Sequence, residues 1–300
     1  MTLIQWILKL LGVYKPHNDT TTTTTSIPET TTETTTQIGG KKMKKAFCFS
    51  INDYPGTAND LSGCNSDSQH WSDLFKNTYG FEVERICDSL DTRSTVINTM
   101  TNLIANSKPG DVLVFSYSGH GTSIQDTHND EMDGRDEAIC LWDGLLLDDN
   151  IRDILNKLPV GVKCTFIADS CFSGTVTRAF LTTMNDTSYV SKPRYMPPQD
   201  NMEAIKLSGL PSLRAFAYPE EGMNHILLSG ASDAEYSYDT DIEGPTGAFS
   251  YYAIKILKET PHITYNDFYK KLRTYLPCSQ YPQTPQLEGS EENKNSFMFE

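Results

Sequence analysis

Two apolar, β-rich runs, Val112-Leu113-Val114-Phe115 and Cys164-Thr165-Phe166-Ile167-Ala168, constrain the fold more than any other feature of the chain. Neither shows a clean polar alternation, which is the pattern of strands covered on both faces of a parallel sheet. Each leads into a short glycine-bearing motif. Tyr117-Ser118-Gly119-His120-Gly121 follows the first run and Asp169-Ser170-Cys171-Phe172-Ser173-Gly174 the second. Reactive groups in open α/β sheets collect at the carboxyl ends of strands. A histidine and a cysteine so placed can meet as base and nucleophile.

Strand and helix signals alternate around these runs. Strands are expected at 46–51, 81–87, 111–117, 138–142, 162–168 and 226–230, with a last one at 296–299. Helical spacing of apolar residues predicts helices over 66–79, 92–107, 149–158, 248–258 and 265–276. Such alternation implies a three-layer α/β/α sandwich around a mostly parallel sheet. The folded domain should span 44–300, interrupted by an irregular insert at 175–224 that gathers Pro, Asn, Ser and isolated basic residues. Residues 1–43 read differently. An apolar stretch at 2–14 is too short, and too broken by Lys9, to span a bilayer, which leaves membrane-surface or partner docking open beside a tail without a role. The threonine-rich tract at 18–40 holds too little apolar surface to offset ordering entropy and reads as a disordered linker.

The formal charge is −14, and the first 45 residues carry more lysine than acid, so the remainder is more acidic still. That balance argues against nucleic acid as a partner and tolerates cationic substrates. Neither GxGxxG nor GxxxxGK[ST] occurs, which disfavours a nucleotide-binding domain. Seven cysteines without a CxxC argue against a disulfide framework and for a reducing, cytoplasmic setting.

A thiol needs a base to draw off its proton, and His120 is the natural one for Cys171. Gly119 and Gly121 let main-chain N–H groups approach a reacting carbonyl, so the N–H groups of Gly121 and Cys171 are the expected oxyanion hole. Taken singly, a loop histidine and a buried structural cysteine would need no such role.

With a histidine roughly fifty residues before the cysteine, the two motifs resemble the signature blocks of the caspase-like clan, and of metacaspases in particular. Asn52-Asp53-Tyr54-Pro55-Gly56, Leu61-Ser62-Gly63-Cys64, Asp148-Asp149, Ser229-Gly230-Ala231-Ser232-Asp233 and Gln283-Thr284-Pro285-Gln286-Leu287 extend the resemblance to the C-terminal region. Phe172 departs from the histidine usual in the family at that position. The resemblance implies a monomeric cysteine endopeptidase acting on proteins or peptides after Arg or Lys, through an acyl-thioester. It places the pocket for the basic side chain at Cys64, Asp67, Ser118 and Asp169. Two carboxylates there would form charge-assisted bonds to a guanidinium or ammonium, although Asp67 also suits a helix N-terminus. No cofactor is needed for the chemistry. Calcium is implied as an activator, with Asp136, Asp148 and Asp149 as ligands, but Arg178 stands at the fourth ligand position and a solvated acidic loop explains the same residues. Basic residues of the insert, Arg178, Lys192, Arg194, Lys206 and Arg214, are candidate points of self-cleavage. An inactive caspase-like adaptor is the alternative reading.

Overall fold

The runs that lack polar alternation become the middle of a six-stranded sheet. In this computed structural model, residues 42–125, 135–171, 191–197, 222–232 and 235–300 are described. The strands of the sheet are β1 (Lys44–Ser50), β2 (Glu82–Cys87), β3 (Val112–Ser118), β7 (Lys163–Asp169), β9 (Ile226–Ser229) and β12 (Gln286–Glu288), in the order β12-β9-β7-β3-β1-β2. All neighbours are parallel except β12, which runs against β9. Every residue of β3 is buried, as expected of a central strand. The outer strand β2 instead carries Glu82, Glu84 and Arg85, charges that discourage further pairing at an open edge.

Successive residues of a strand face opposite sides, so the central strands feed two cores. Phe47, Phe49, Leu113, Phe115 and Tyr117 pack on one face with Val96, Met100 and Ile104 of α2 (Arg93–Ala105) and Ile151 and Ile154 of α3 (Asp148–Leu155). Ala46, Cys48, Val112 and Val114 pack on the other. Their partners are Trp71 and Phe75 of α1 (Cys64–Asn77), Phe249 and Ile256 of α4 (Ala248–Glu259) and Phe268 of α5 (Tyr265–Leu272). The outcome is the expected α/β/α sandwich. Thr92 and Thr264 begin α2 and α5 by accepting the main-chain N–H three residues on, which satisfies one orphan donor of each helix.

Two small antiparallel sheets stand at the rim. One joins β4 (Gly121–Gln125), β5 (Arg135–Leu141) and β6 (Gly144–Leu147); the other has the order β11-β10-β8. Its members are β8 (Lys192–Pro193), β10 (Tyr238–Asp241) and β11 (Pro245–Gly247). The strand expected at 296–299 does not form. A short helix, α6 (Glu291–Lys294), precedes it, and Phe297 makes one isolated bridge to Thr264. Phe299 has φ of 60°, which ends extension and turns its ring edge-on to Phe75 and Tyr79. The insert is not irregular throughout, since Lys192–Pro193 pairs with β10. The seven cysteines are free thiols. No helix among the described residues is long and apolar enough to cross a membrane. The apolar and threonine-rich segments before residue 42, with Arg178, Lys206 and Arg214, lie outside the described residues.

Candidate active site

Adjacent parallel strands β3 and β7 place Ser118 opposite Asp169. His120 and Cys171, each two residues further on, therefore leave the same rim of the sheet side by side. The loop 52–61 closes over the histidine from the opposite side. Tyr54 Oη accepts from the His120 main-chain N–H at 2.7 Å, and the Asn59 carbonyl lies 2.7 Å from Nε2. Because a carbonyl only accepts, Nε2 carries the proton and Nδ1 is the bare, basic nitrogen. Nδ1 is buried and has no hydrogen-bond partner. Burial is the main influence on the ring and lowers its pKa to about 4, against the Asn59 carbonyl, which favours the charged form. His120 is thus a neutral imidazole, the state a base requires.

The Cys171 sulfur is enclosed. The Ser237 N–H donates to it at 2.7 Å, and the thiol donates to the Ser237 carbonyl at 3.2 Å. Burial pushes the thiol well above its ordinary pKa, so it rests protonated.

What encloses it is residue 194. The Arg194 carbonyl accepts from the main-chain N–H of Gly121 at 3.0 Å and of Cys171 at 3.2 Å, the two donors expected to form the oxyanion hole. The Arg194 N–H donates to Ser237 O at 2.9 Å, and the Met196 N–H to Gly121 O at 3.0 Å, which fixes the chain on both sides. Gly121 is required here, because a side chain would run into the Cys171 main chain.

The Arg194 side chain is fully buried in a recess of carboxylates. Nη2 lies 2.6 Å from Asp67 Oδ2 and 3.0 Å from Asp239 Oδ1; Nη1 lies 3.0 Å from Asp169 Oδ2 and 3.2 Å from the Asp169 carbonyl. A buried charge is tolerated only when paired and hydrogen-bonded, and here both ends of the fork are satisfied. The carboxylates are themselves anchored. Asp67 accepts from Thr246 Oγ1 and Gly247 N, Asp169 from Ser250 Oγ and N, and Asp239 from Ser62 N and Oγ. Burial raises Asp67 to about 6 despite the guanidinium. Burial pulls Asp239 the same way, but Arg194 and the Ser62 hydrogen bonds outweigh it and hold the carboxyl below its usual range.

Of the pocket residues expected from the sequence, Asp67 and Asp169 meet the guanidinium directly. Cys64 and Ser118 are buried at the base of α1 and the end of β3. Sequence reasoning missed Asp239, Ser237 and Asn59. Asn59 acts through its main chain, which leaves no side-chain signature, and Ser237 meets Cys171 through its main chain while its hydroxyl donates to Asp169 Oδ1. Asp239 follows an alternation of aromatic and polar residues, Tyr236-Ser237-Tyr238, that marks a strand beside the recess.

The implied calcium ligands are differently engaged. Arg152 lies 2.6 Å from Asp148 Oδ2 and 2.8 Å from Asp149 Oδ1, while Asp136 is buried on β5. Among the described residues, no group of three or more His, Cys, Asp or Glu is arranged to hold a metal ion. In this arrangement the Arg152 guanidinium supplies the positive charge beside Asp148 and Asp149, and no step below runs through a metal ion.

Residues 44–179 match the family model described as the metacaspase, peptidase C14 domain. Metacaspase-1 of Schizosaccharomyces pombe is 30% identical over 297 residues, covering 82% of this chain and 67% of that protein. The chain belongs to the metacaspase family. Metacaspase-1 of Scheffersomyces stipitis is 29% identical, over 85% of this chain and 73% of its own. Among solved structures, a protein of Geobacter sulfurreducens superposes with a TM-score of 0.65 at 26% identity, covering 86% of this chain and 98% of that one. Caspase-1 of Spodoptera frugiperda, at TM-score 0.56 and 12% identity over 83% and 87% of the two chains, shares the fold. As a metacaspase the chain is a cysteine-type endopeptidase with protein substrates, and the inactive-adaptor reading gives way to that.

Proposed function

We propose that this metacaspase cleaves after arginine and processes itself at the Arg194–Tyr195 bond. One observation carries the reading: a single residue offers its carbonyl to both oxyanion-hole donors and its guanidinium to three carboxylates. Lys192 bonds main-chain carbonyls instead of the acidic recess, which favours Arg194 between the two described candidates.

The reaction follows from the placement of groups. Nδ1 of His120 takes the Cys171 proton, and the thiolate adds to the Arg194 carbonyl carbon. Negative charge then develops on an oxygen already facing the N–H groups of Gly121 and Cys171. Such donors are worth about 2.7–4 kcal/mol each in comparable enzymes, because they need no reorganisation. Collapse of the adduct breaks the Arg194–Tyr195 C–N bond, with the His120 proton passing to the departing Tyr195 amine. Water, deprotonated by His120, hydrolyses the thioester and restores the thiol. Departure of the product chain opens the recess to substrates in trans. In this reading the enzyme works as a monomer, since the described chain supplies base, nucleophile, donors and pocket.

The test is a panel of fluorogenic peptides with Arg, Lys or Asp before the scissile bond, assayed with and without calcium. Arginine should be cut fastest, because a lone ammonium cannot span Asp67, Asp239 and Asp169 as the planar fork does. Cleavage after aspartate, or equal cleavage of all three, would overturn the reading.

A further inference from the structure

The loop that orients His120 also holds a second cation. Lys192, two residues before Arg194, places Nζ 2.6 Å from the Asp60 carbonyl and 3.4 Å from the Ala58 carbonyl. The carbonyl between them, Asn59, is the one that bonds His120 Nε2. Three consecutive peptide units therefore serve two neighbours, the outer two a lysine and the middle one the catalytic base.

We propose that the Ala58 and Asp60 carbonyls form a subsite for a positively charged side chain two residues before the scissile arginine, and that filling it fixes the Asn59 carbonyl on His120. The inference rests on the arginine reading above and extends it from one substrate residue to two. The loop has few other restraints at this point. Thr57–Asn59 is a single 3-10 turn, tied by Tyr54 N to Asp60 Oδ1 at 3.1 Å and Leu61 N to Asn52 O at 2.8 Å. Neither tie fixes the rotation of the Asn59 peptide. An ammonium drawing the two flanking carbonyls toward itself does, since a short turn has few ways to aim three successive C=O groups. A substrate with a cation at that position would help assemble the site that cleaves it. Lys192 does this for self-cleavage, and a lysine of an outside substrate would take its place once residues 192–194 withdraw.

The effect expected is on turnover, because an aligned base matters in the transition state more than in ground-state binding. The processed enzyme is assayed with three acetylated tetrapeptide coumarins, Ala-Lys-Pro-Arg, Ala-norleucine-Pro-Arg and Lys-norleucine-Pro-Arg. Norleucine keeps the stem of lysine without its charge. The third peptide restores the charge one residue away and controls for general attraction to an acidic protein. The expected result is a fall in kcat of at least about tenfold for both norleucine peptides, equivalent to ~1.4 kcal/mol in the barrier, with a smaller change in KM. In the full chain, Lys192→Met should slow self-processing while Lys192→Arg preserves it. Equal kcat for all three peptides, or a loss confined to KM, overturns the coupling while leaving cleavage after arginine intact. Failure to cut any of the three overturns the arginine reading and this inference with it.

Discussion

Asp67 is a carboxyl held near pH 6 by burial while paired with a guanidinium, and this sets a pH dependence. The guanidinium favours the ionised form, so arginine binding and proton loss at Asp67 promote each other. Below about pH 6 the acid protonates and the grip weakens. The kcat of an arginyl peptide, which reports the filled recess, should therefore fall as pH drops through about 6, while kcat/KM should begin to fall at higher pH because the empty recess lacks the guanidinium. Asp67→Asn should flatten both limbs and lower kcat/KM throughout, and a profile unchanged by the substitution contradicts the assignment. Gly247 lines the same recess, and a methyl there would come within 2.6 Å of Arg194 Nη1. At the ~1–3 kcal/mol typical of overpacking, Gly247→Ala should slow arginyl cleavage by about five- to 160-fold. Asp91 behaves differently, being buried with only the Ser50 main chain and, more weakly, the Arg85 charge favouring its ionised form. Burial raises it to about 8, above its ordinary 3.8. Between those values the folded protein holds a proton that the unfolded chain releases, so stability declines with rising pH by up to about 1.4 kcal/mol per unit. Denaturant melts of Asp91→Asn should show a shallower decline. At this scale the histidine and cysteine at the sheet rim, and two of the acids that meet Arg194, were legible because they sit in compact motifs. Asp239 was not, because only tertiary pairing brings β10 to the recess.

Elements divide along the same line. The strands β1, β3 and β7 could be read from apolar runs that need no partner to be recognised. The strands β4, β6, β11 and β12 span three to five residues each and exist through their pairings, so no local pattern announces them, while β10 is signalled only by the short alternation Tyr236-Ser237-Tyr238. The helices agree with expectation to within a few residues, because their apolar faces repeat over two turns or more. The final segment misled, since its apolar residues pack around a left-handed Phe299 instead of extending. Helix α3 carries its own prediction. Arg152 sits three and four residues beyond Asp149 and Asp148, and its fork closes over both. Wild-type activity should respond little to calcium or to a chelator, whereas Arg152→Gln should create or enlarge a calcium response. Strong calcium activation of the wild type, unaltered by that substitution, would show that the pair does not replace the ion.

For the molecule as a whole, the sheet rim gathers His120 just beyond β3, Cys171 just beyond β7, carboxylates from α1, β7 and β10, and a strand of the insert beside them. A nucleophile with 0% exposure cannot meet an outside protein while that strand stays in place, so activity in trans should follow processing in time. The measurement that bears most directly on this is N-terminal sequencing of the fragments formed by purified wild-type protein and by Cys171→Ala. Self-cleavage by Cys171 predicts a new chain beginning at Tyr195 in the wild type and none in the variant. An intact Arg194–Tyr195 bond in fully active enzyme, or the same fragment from Cys171→Ala, would contradict it.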